Sequence, residues 1–374
     1  MSQQLSATSR QQAVRGVQAR SYGDHGVPPA RVLCHKHLAD RWELTAESET
    51  MRVVSAADVT QLLPVADAIP LMAHAFRLFS AGTGAYPLRT HVRLHNPSGD
   101  ALVMPAYDGT DGLGVKLVTV HPHNPDHGYP AVRALYLLVR AGDGEPLMVC
   151  DGAALTAIRT GAASGVATQV LALPDARRGA LFGAGAQAET QLLAMLAARP
   201  LESVAVVARR PAHARDFCRR LDAAVAARLE PAASPDEAVR DADVITTATS
   251  SCEPVFDGRL VKLGAHINAV GAYRADMREL DPYAMARARV YVDSREAALA
   301  EAGDLVMPLR DGTIDEAHVR GELGEVLLSR VRGRESAEDI TVFKSVGLAV
   351  QDLIAAMEIY RRAQQHDVGT DVAL

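Results

Sequence analysis

The chain has 374 residues, 48% of them apolar and 22% charged, with a net charge of −6. That length exceeds the size at which a single core stops growing, so two domains are expected, and the composition is that of a folded globular chain. Acidic and basic residues are interspersed, with no basic block and no aromatic-studded stripe, which argues against a nucleic-acid partner. The cysteines, Cys34, Cys150, Cys218 and Cys252, lie far apart and form no CxxC pair, so a reducing, cytoplasmic setting is expected. No apolar run approaches the roughly 20 residues that a membrane span needs.

In chain order, residues 1–50 read as an unstructured extension. The first 20 carry Arg10, Arg15 and Arg20 and no acid, which suits a transit peptide, an upstream start or a plain tail equally. A strand is predicted over 51–55 and an amphipathic helix over 58–79, with Val59, Leu62, Leu63, Ile69, Met72, Phe76 and Phe79 on its apolar face. Short strands follow at 90–94, 101–107, 114–120, 132–138 and 147–150, separated by Gly and Pro turns. Residues 151–173 read as a helix whose many small residues, Ala157, Gly161, Ala162 and Gly165 among them, let it approach another backbone closely. From 179 to about 293 strands and helices alternate, as in a doubly wound parallel sheet. The stretch from Thr341 onward, ending in a helix over 349–363, falls outside that alternation and is expected to return to the first domain.

One turn in this alternation carries chemistry. Gly183-Ala-Gly185-Ala-Gln-Ala188 follows the apolar strand 179–182 and opens the helix 187–198. Gly183 permits a tight turn, Gly185 lets a pyrophosphate approach the backbone, and Ala188 keeps helix and sheet close, while the helix N-terminus offers free N–H groups. A dinucleotide cofactor is expected. The acid that would hold the ribose hydroxyls of NAD is missing about 20 residues on, and the second strand, 204–208, runs instead into Arg209-Arg210. Guanidinium groups suit a 2′-phosphate, so NADP(H) is favoured over NAD(H).

Three cations stand in surroundings that call for an anion: Arg89, Lys116 in the apolar strand 114–120, and Arg159 on the small-residue helix. Each is costly to bury without a partner, which a substrate carboxylate or an internal acid would supply. These residues lie in blocks that resemble the ornithine cyclodeaminase/mu-crystallin family over residues 51–365. The blocks are Met104-Pro-Ala-Tyr107, Gly114-Val-Lys-Leu-Val-Thr-Val120, Asp151-Gly152, Leu155-Thr-Ala-Ile-Arg-Thr160, the Gly183 loop, His266-Ile-Asn-Ala-Val-Gly271, Arg278-Glu-Leu-Asp281, Gly321-Glu-Leu-Gly324 and Phe343-Lys-Ser-Val-Gly-Leu348. The resemblance implies a homodimer whose Rossmann domain, at 176–318, is flanked by an α+β substrate and dimerisation domain in two pieces, 51–175 and 319–365, with a tail at 366–374. It also implies that Arg89, Lys116 and Arg159 hold the carboxylate of an amino or imino acid, with Ala186, Gln187, Thr160, Val270 and Ser345 beside the cofactor.

The family's cyclodeaminases carry an acid two positions after the Val-Gly of the His266 block, where this chain has Tyr273. A phenol of ordinary pKa near 10 is a poor general base and holds no ammonium group, although Asp276 lies in the same loop. The segment therefore resembles the reductase branch, which reduces cyclic imino acids such as Δ1-pyrroline-2-carboxylate or Δ1-piperideine-2-carboxylate with NAD(P)H. Lys116 is the expected proton donor, its pKa lowered by burial and two neighbouring cations. Ornithine or lysine cyclodeamination, alanine or N-alkyl amino acid dehydrogenation, and non-catalytic small-molecule binding are the rival activities. No metal is expected: His121, His123 and His127 share a Pro-rich turn without zinc spacing. Cys150 and Cys252 read as buried apolar residues.

Overall fold

The computed structural model describes residues 50–95, 98–121 and 123–373. The expectations for the extension, with Arg10, Arg15, Arg20 and Cys34, lie outside these residues. The first six strands are β1 (Thr50–Val54), β2 (Thr90–His95), β3 (Ser98–Tyr107), β4 (Gly112–Val120), β5 (Val132–Arg140) and β6 (Pro146–Asp151). The next six are β7 (Arg178–Phe182), β8 (Ser203–Val207), β9 (Arg228–Pro231), β10 (Val244–Thr247), β11 (His266–Ala269) and β12 (Ala288–Val292). Three more, β13 (Val319–Glu322), β14 (Ile340–Lys344) and β15 (Thr370–Ala373), complete the set. They form two sheets, one in the order β15-β1-β6-β5-β4-β3-β2 and the other in the order β13-β12-β14-β11-β10-β7-β8-β9.

All ladders of the second sheet are parallel. Its strands alternate side chains between two apolar cores. Ala180, Phe182 and Ile245 meet the helices Pro235–Arg240, Pro282–Arg287 and Arg295–Glu301, while Leu181 and Val244 meet Ala188–Ala198 and Pro211–Leu221. This is a doubly wound α/β sheet. The chain winds outward from β7 to β9 on one side and from β10 on the other, so a crevice opens at the carboxyl ends of β7 and β10.

Two boundaries expected from the sequence move. Residues 319–322 and 340–344 belong to the nucleotide sheet, with β14 inserted between β11 and β12, so the return to the first sheet begins only with the helix Ala349–His366. A run of five buried residues, Ile-Thr-Val-Phe-Lys, is a strand enclosed on both faces, which carries no period-two signature. The expected tail is β15, paired antiparallel with β1. The single helix expected over 58–79 is two, Ala56–Leu62 and Val65–Ala81, bent by 81° where Pro64 interrupts the backbone ladder. No single helix among the described residues is long and apolar enough to cross a membrane.

In the first sheet strict alternation separates two faces. One face, carrying Met104, Ala106, Tyr136, Leu138, Met148 and Cys150, is covered by the helices Val65–Ala81, Gly152–Leu171 and Ala349–His366. The opposite face carries Val53, Val92, Leu113, Leu117 and Leu135, all exposed, with Leu117 and Leu135 directly opposite one another. The helix Gly152–Leu171 links the sheets. A Cβ on Gly161 would lie 2.5 Å from the Thr190 carbonyl oxygen of the first nucleotide helix, so the small residues serve the close approach expected of them. Phe76 and Phe343 add an edge-to-face contact, 5.9 Å between centroids, from helix to β14.

Candidate active site

The covered face of the first sheet and the carboxyl ends of the nucleotide strands enclose one cavity of about 1020 Å³. Arg89, Lys116, Arg159, Thr160, Gly183, Gly185, Ala186, Gln187, Arg209, Arg210, Val270 and Ser345, scattered over 257 positions of sequence (89 to 345), all line it. No Asp or Glu does so among the described residues.

At one end, Lys116 points inward from β4 and is wholly buried. Its Nζ lies 2.6 Å from Oδ2 of Asp352 and 3.2 Å from Oγ1 of Thr156. The second oxygen of Asp352 accepts from Nε of Arg159 at 3.0 Å, and Nη1 of Arg159 donates to Oε1 of Gln351 at 3.0 Å. Gly347, with φ +89°, makes room for that guanidinium, because a Cβ there would sit 2.7 Å from Nη1 of Arg159. Arg89 reaches across from the first sheet. Its Nη2 donates to the carbonyls of Val346 and Gly347, both at 2.8 Å, and its Nε lies 3.3 Å from Glu301.

Burial pulls the Lys116 ammonium down to about 7; Asp352 opposes the shift, and Arg159 and Arg89 add to it. The internal acids that the sequence left as an alternative are therefore present, as Asp352 and Glu301. Two cations against Asp352, and Arg89 against Glu301, leave one uncompensated positive charge facing the cavity. Around it the wall is apolar, formed by Leu102, Met104, Val118, Val120 and Val132.

At the other end the Gly183 turn has the geometry a pyrophosphate requires. Gly183 has φ +114° and its N–H donates to Val207 at 2.8 Å. A Cβ on Gly185 would meet no atom within 4 Å, so its face is open to the cavity. The helix Ala188–Ala198 has no side-chain cap; its Ala188 N–H donates to the Gly185 carbonyl at 3.1 Å, and its N-terminal end faces the cavity as a site suited to an anion. Arg209 and Arg210 are exposed, make no side-chain hydrogen bond or ion pair among the described residues, and precede the N-terminus of Pro211–Leu221. These residues fit a dinucleotide.

Between the ends, buried carboxylates anchor the loops. Glu279 accepts from Thr247 Oγ1, from Thr249 N and Oγ1, and from Gly271 N, at 2.6–2.9 Å. Asp293 accepts from Ser345 Oγ and from the N–H groups of Val346 and Gly347, at 2.6–2.8 Å. Sequence reasoning missed Asp352, Glu301 and Asp293. Tyr273 lines the cavity, whereas Asp276 is exposed and held by two hydrogen bonds to Arg274, away from the wall. Cys150 is buried, but Cys252 is exposed, against expectation, because it falls in the irregular loop between β10 and β11 and not in a strand of the sheet.

With this geometry in view, comparison with known proteins is decisive on kinship. Residues 49–367 match the ornithine cyclodeaminase/mu-crystallin family. The chain belongs to that family. A Δ1-pyrroline-2-carboxylate reductase of Bacillus cereus is 40% identical over 321 residues, 85% of this chain and 98% of that protein. The solved structure of Thermococcus litoralis Δ1-pyrroline-2-carboxylate reductase, in complex with NADH and L-proline, is 38% identical and superimposes with a TM-score of 0.84 over 86% of this chain and all of that one. An archaeal alanine dehydrogenase dimer with bound NAD is 34% identical, with a TM-score of 0.80 over 86% of this chain and 99% of that one.

Proposed function

We propose that this chain reduces a cyclic imino acid of the Δ1-pyrroline-2-carboxylate type to the cyclic amino acid, with NADPH as the preferred reductant. The observation that carries the reading is the charge of the cavity wall: Arg89, Lys116, Arg159, Arg209 and Arg210 line it, with no carboxylate among the described residues. A diamino acid such as ornithine brings a second ammonium group, for which this wall has no counter-ion. A monocarboxylate with an apolar ring meets one net positive charge and an apolar wall. The L-proline bound by the 38% identical archaeal enzyme is the product of such a reduction.

The Arg159 and Arg89 guanidiniums orient the carboxylate and so hold the C=N bond above the cofactor face. The nicotinamide, when bound, supplies a hydride to the imine carbon. Lys116 gives its Nζ proton to the nitrogen as the C=N bond becomes C–N, and regains one from water once the product leaves. With a pKa near neutrality it is matched to that exchange. At the far end Arg209 and Arg210 receive the 2′-phosphate, in place of the acid that NAD-preferring dinucleotide domains carry there.

We further infer a homodimer through the bare face of the first sheet. Leu135 is 58% exposed and Leu117 46%, within a continuous apolar surface that extends to Val53 and Val92. Such a face suits a second copy in a two-fold dimer, and the 34% identical archaeal alanine dehydrogenase is a dimer. Leu117→Asp with Leu135→Asp shifts the sedimenting species to the monomer; an unchanged species excludes this face.

The activity test is an NADPH and NADH oxidation assay with Δ1-pyrroline-2-carboxylate, Δ1-piperideine-2-carboxylate, and pyruvate with ammonia or methylamine, run beside ornithine with NAD. Oxidation with the cyclic imines, faster with NADPH, is expected. Ammonia release from ornithine without net cofactor turnover overturns the reading.

A further inference from the structure

The cation pair in the substrate end is held by one side chain. Asp352 is wholly buried on the helix Ala349–His366, and each of its oxygens serves a different cation, Oδ2 the Lys116 ammonium at 2.6 Å and Oδ1 the Arg159 guanidinium at 3.0 Å. Those cations come from separate elements, β4 and the helix Gly152–Leu171; Lys116 Nζ also lies 3.2 Å from Oγ1 of Thr156 on that helix, but among the described residues Asp352 is the side chain that hydrogen-bonds both cations. Among the described residues Asp352 is the sole anionic hydrogen-bond partner of Lys116. Thr156 is neutral, Arg159 and Arg89 are cations, and Tyr136, directly opposite on β5, and Cys150 on β6 are kept neutral by burial. Asp108, after β3, accepts at Oδ1 from the N–H groups of Thr110 and Gly112.

We propose that Asp352 is a positioning residue that makes the proton donor and the carboxylate clamp one unit, fixing the distance from Lys116 Nζ to the Arg159 guanidinium and supplying the counter-charge of the buried ammonium. It rests on the reading of Lys116 as the donor. Two cations brought together in a dry pocket repel, and without the shared carboxylate the ammonium, which has no second anion, gives up its proton at lower pH. With it, donor and clamp move together, so a substrate seated by its carboxylate has its nitrogen at Nζ without a further search. No covalent step involves Asp352.

The test uses the full chain and compares Asp352→Asn and Asp352→Glu with the wild type in imine reduction across pH. Thermal unfolding and NADPH binding are measured in parallel. In Asp352→Asn the basic limb of kcat/KM moves down by about one pH unit or more and kcat falls more than about tenfold, while NADPH affinity is kept. Asp352→Glu keeps the charge, so its limb stays at the wild-type position although kcat falls with the displaced oxygen. A limb that stays put in Asp352→Asn, with a lowered rate, overturns the proposal by showing a merely structural role. Should Asp352→Asn not fold, a limb displaced in Asp352→Glu overturns it equally. The donor reading fails separately, through a Lys116→Met enzyme of wild-type rate.

Discussion

The two ends of the cavity treat positive charge in opposite ways. At one end Lys116 and Arg159 are buried and already share Asp352, whereas at the end by the Gly183 turn the Arg209 and Arg210 side chains stand in solvent without partners among the described residues. The difference follows from desolvation. A cation removed from water needs a counter-charge built into the fold, because leaving it unpaired costs several kcal/mol (about 3–5 when one partner of a buried pair is lost), while an exposed guanidinium can wait hydrated for its anion. Interactions at the buried end are therefore strong, geometric and insensitive to salt, and those at the exposed end weak and screened.

The largest expected effect falls on the donor. Lys116→Met lowers kcat for imine reduction by about 10²- to 10⁴-fold, with NADPH binding unaltered, as measured by steady-state kinetics and cofactor titration. Next comes the clamp. Arg159→Leu raises KM for the imino acid by about 10- to 100-fold and lowers the unfolding temperature, because Asp352 loses one of its two cations; a KM effect without a thermal effect would break the contrast between the ends. The pH profile sharpens it further. Lys116 donates only when protonated, and its pKa is about 7, so reduction proceeds below that value and kcat/KM declines as pH rises through it, by about tenfold per unit once well above. The smallest effect is at the solvent end. Arg209→Ser or Arg210→Ser raises KM for NADPH by about tenfold or less, leaves NADH unaffected, and does so less at high salt. Equal losses with both cofactors would remove the assignment to a 2′-phosphate.

Some of this was legible because local pattern expresses it. The Gly183 turn between an apolar strand and a helix, the period-two strands of the first sheet, and the small-residue helix all act within a few residues of themselves. Lys116 and Arg159 drew notice because a charge in an apolar segment demands an explanation. Asp352 stood in equal view, in Val350-Gln-Asp-Leu353 of a helix buried nearly all round, and the same reasoning applied to that helix would have marked it.

Taken alone, the chain's order of residues determined the dinucleotide turn, the two sheet types and the family kinship, since each rests on contiguous motifs. Only the tertiary structure decided where β13 and β14 go, which acid balances which cation, and that no carboxylate of the described residues lines the cavity. A strand buried on both faces has no periodicity to reveal its neighbours. The pairing of Lys116 with an aspartate 236 positions away is set by packing, not spacing. The chemistry depends on that pairing, because in a dry site the charge of one side chain is decided by whichever groups the fold places against it.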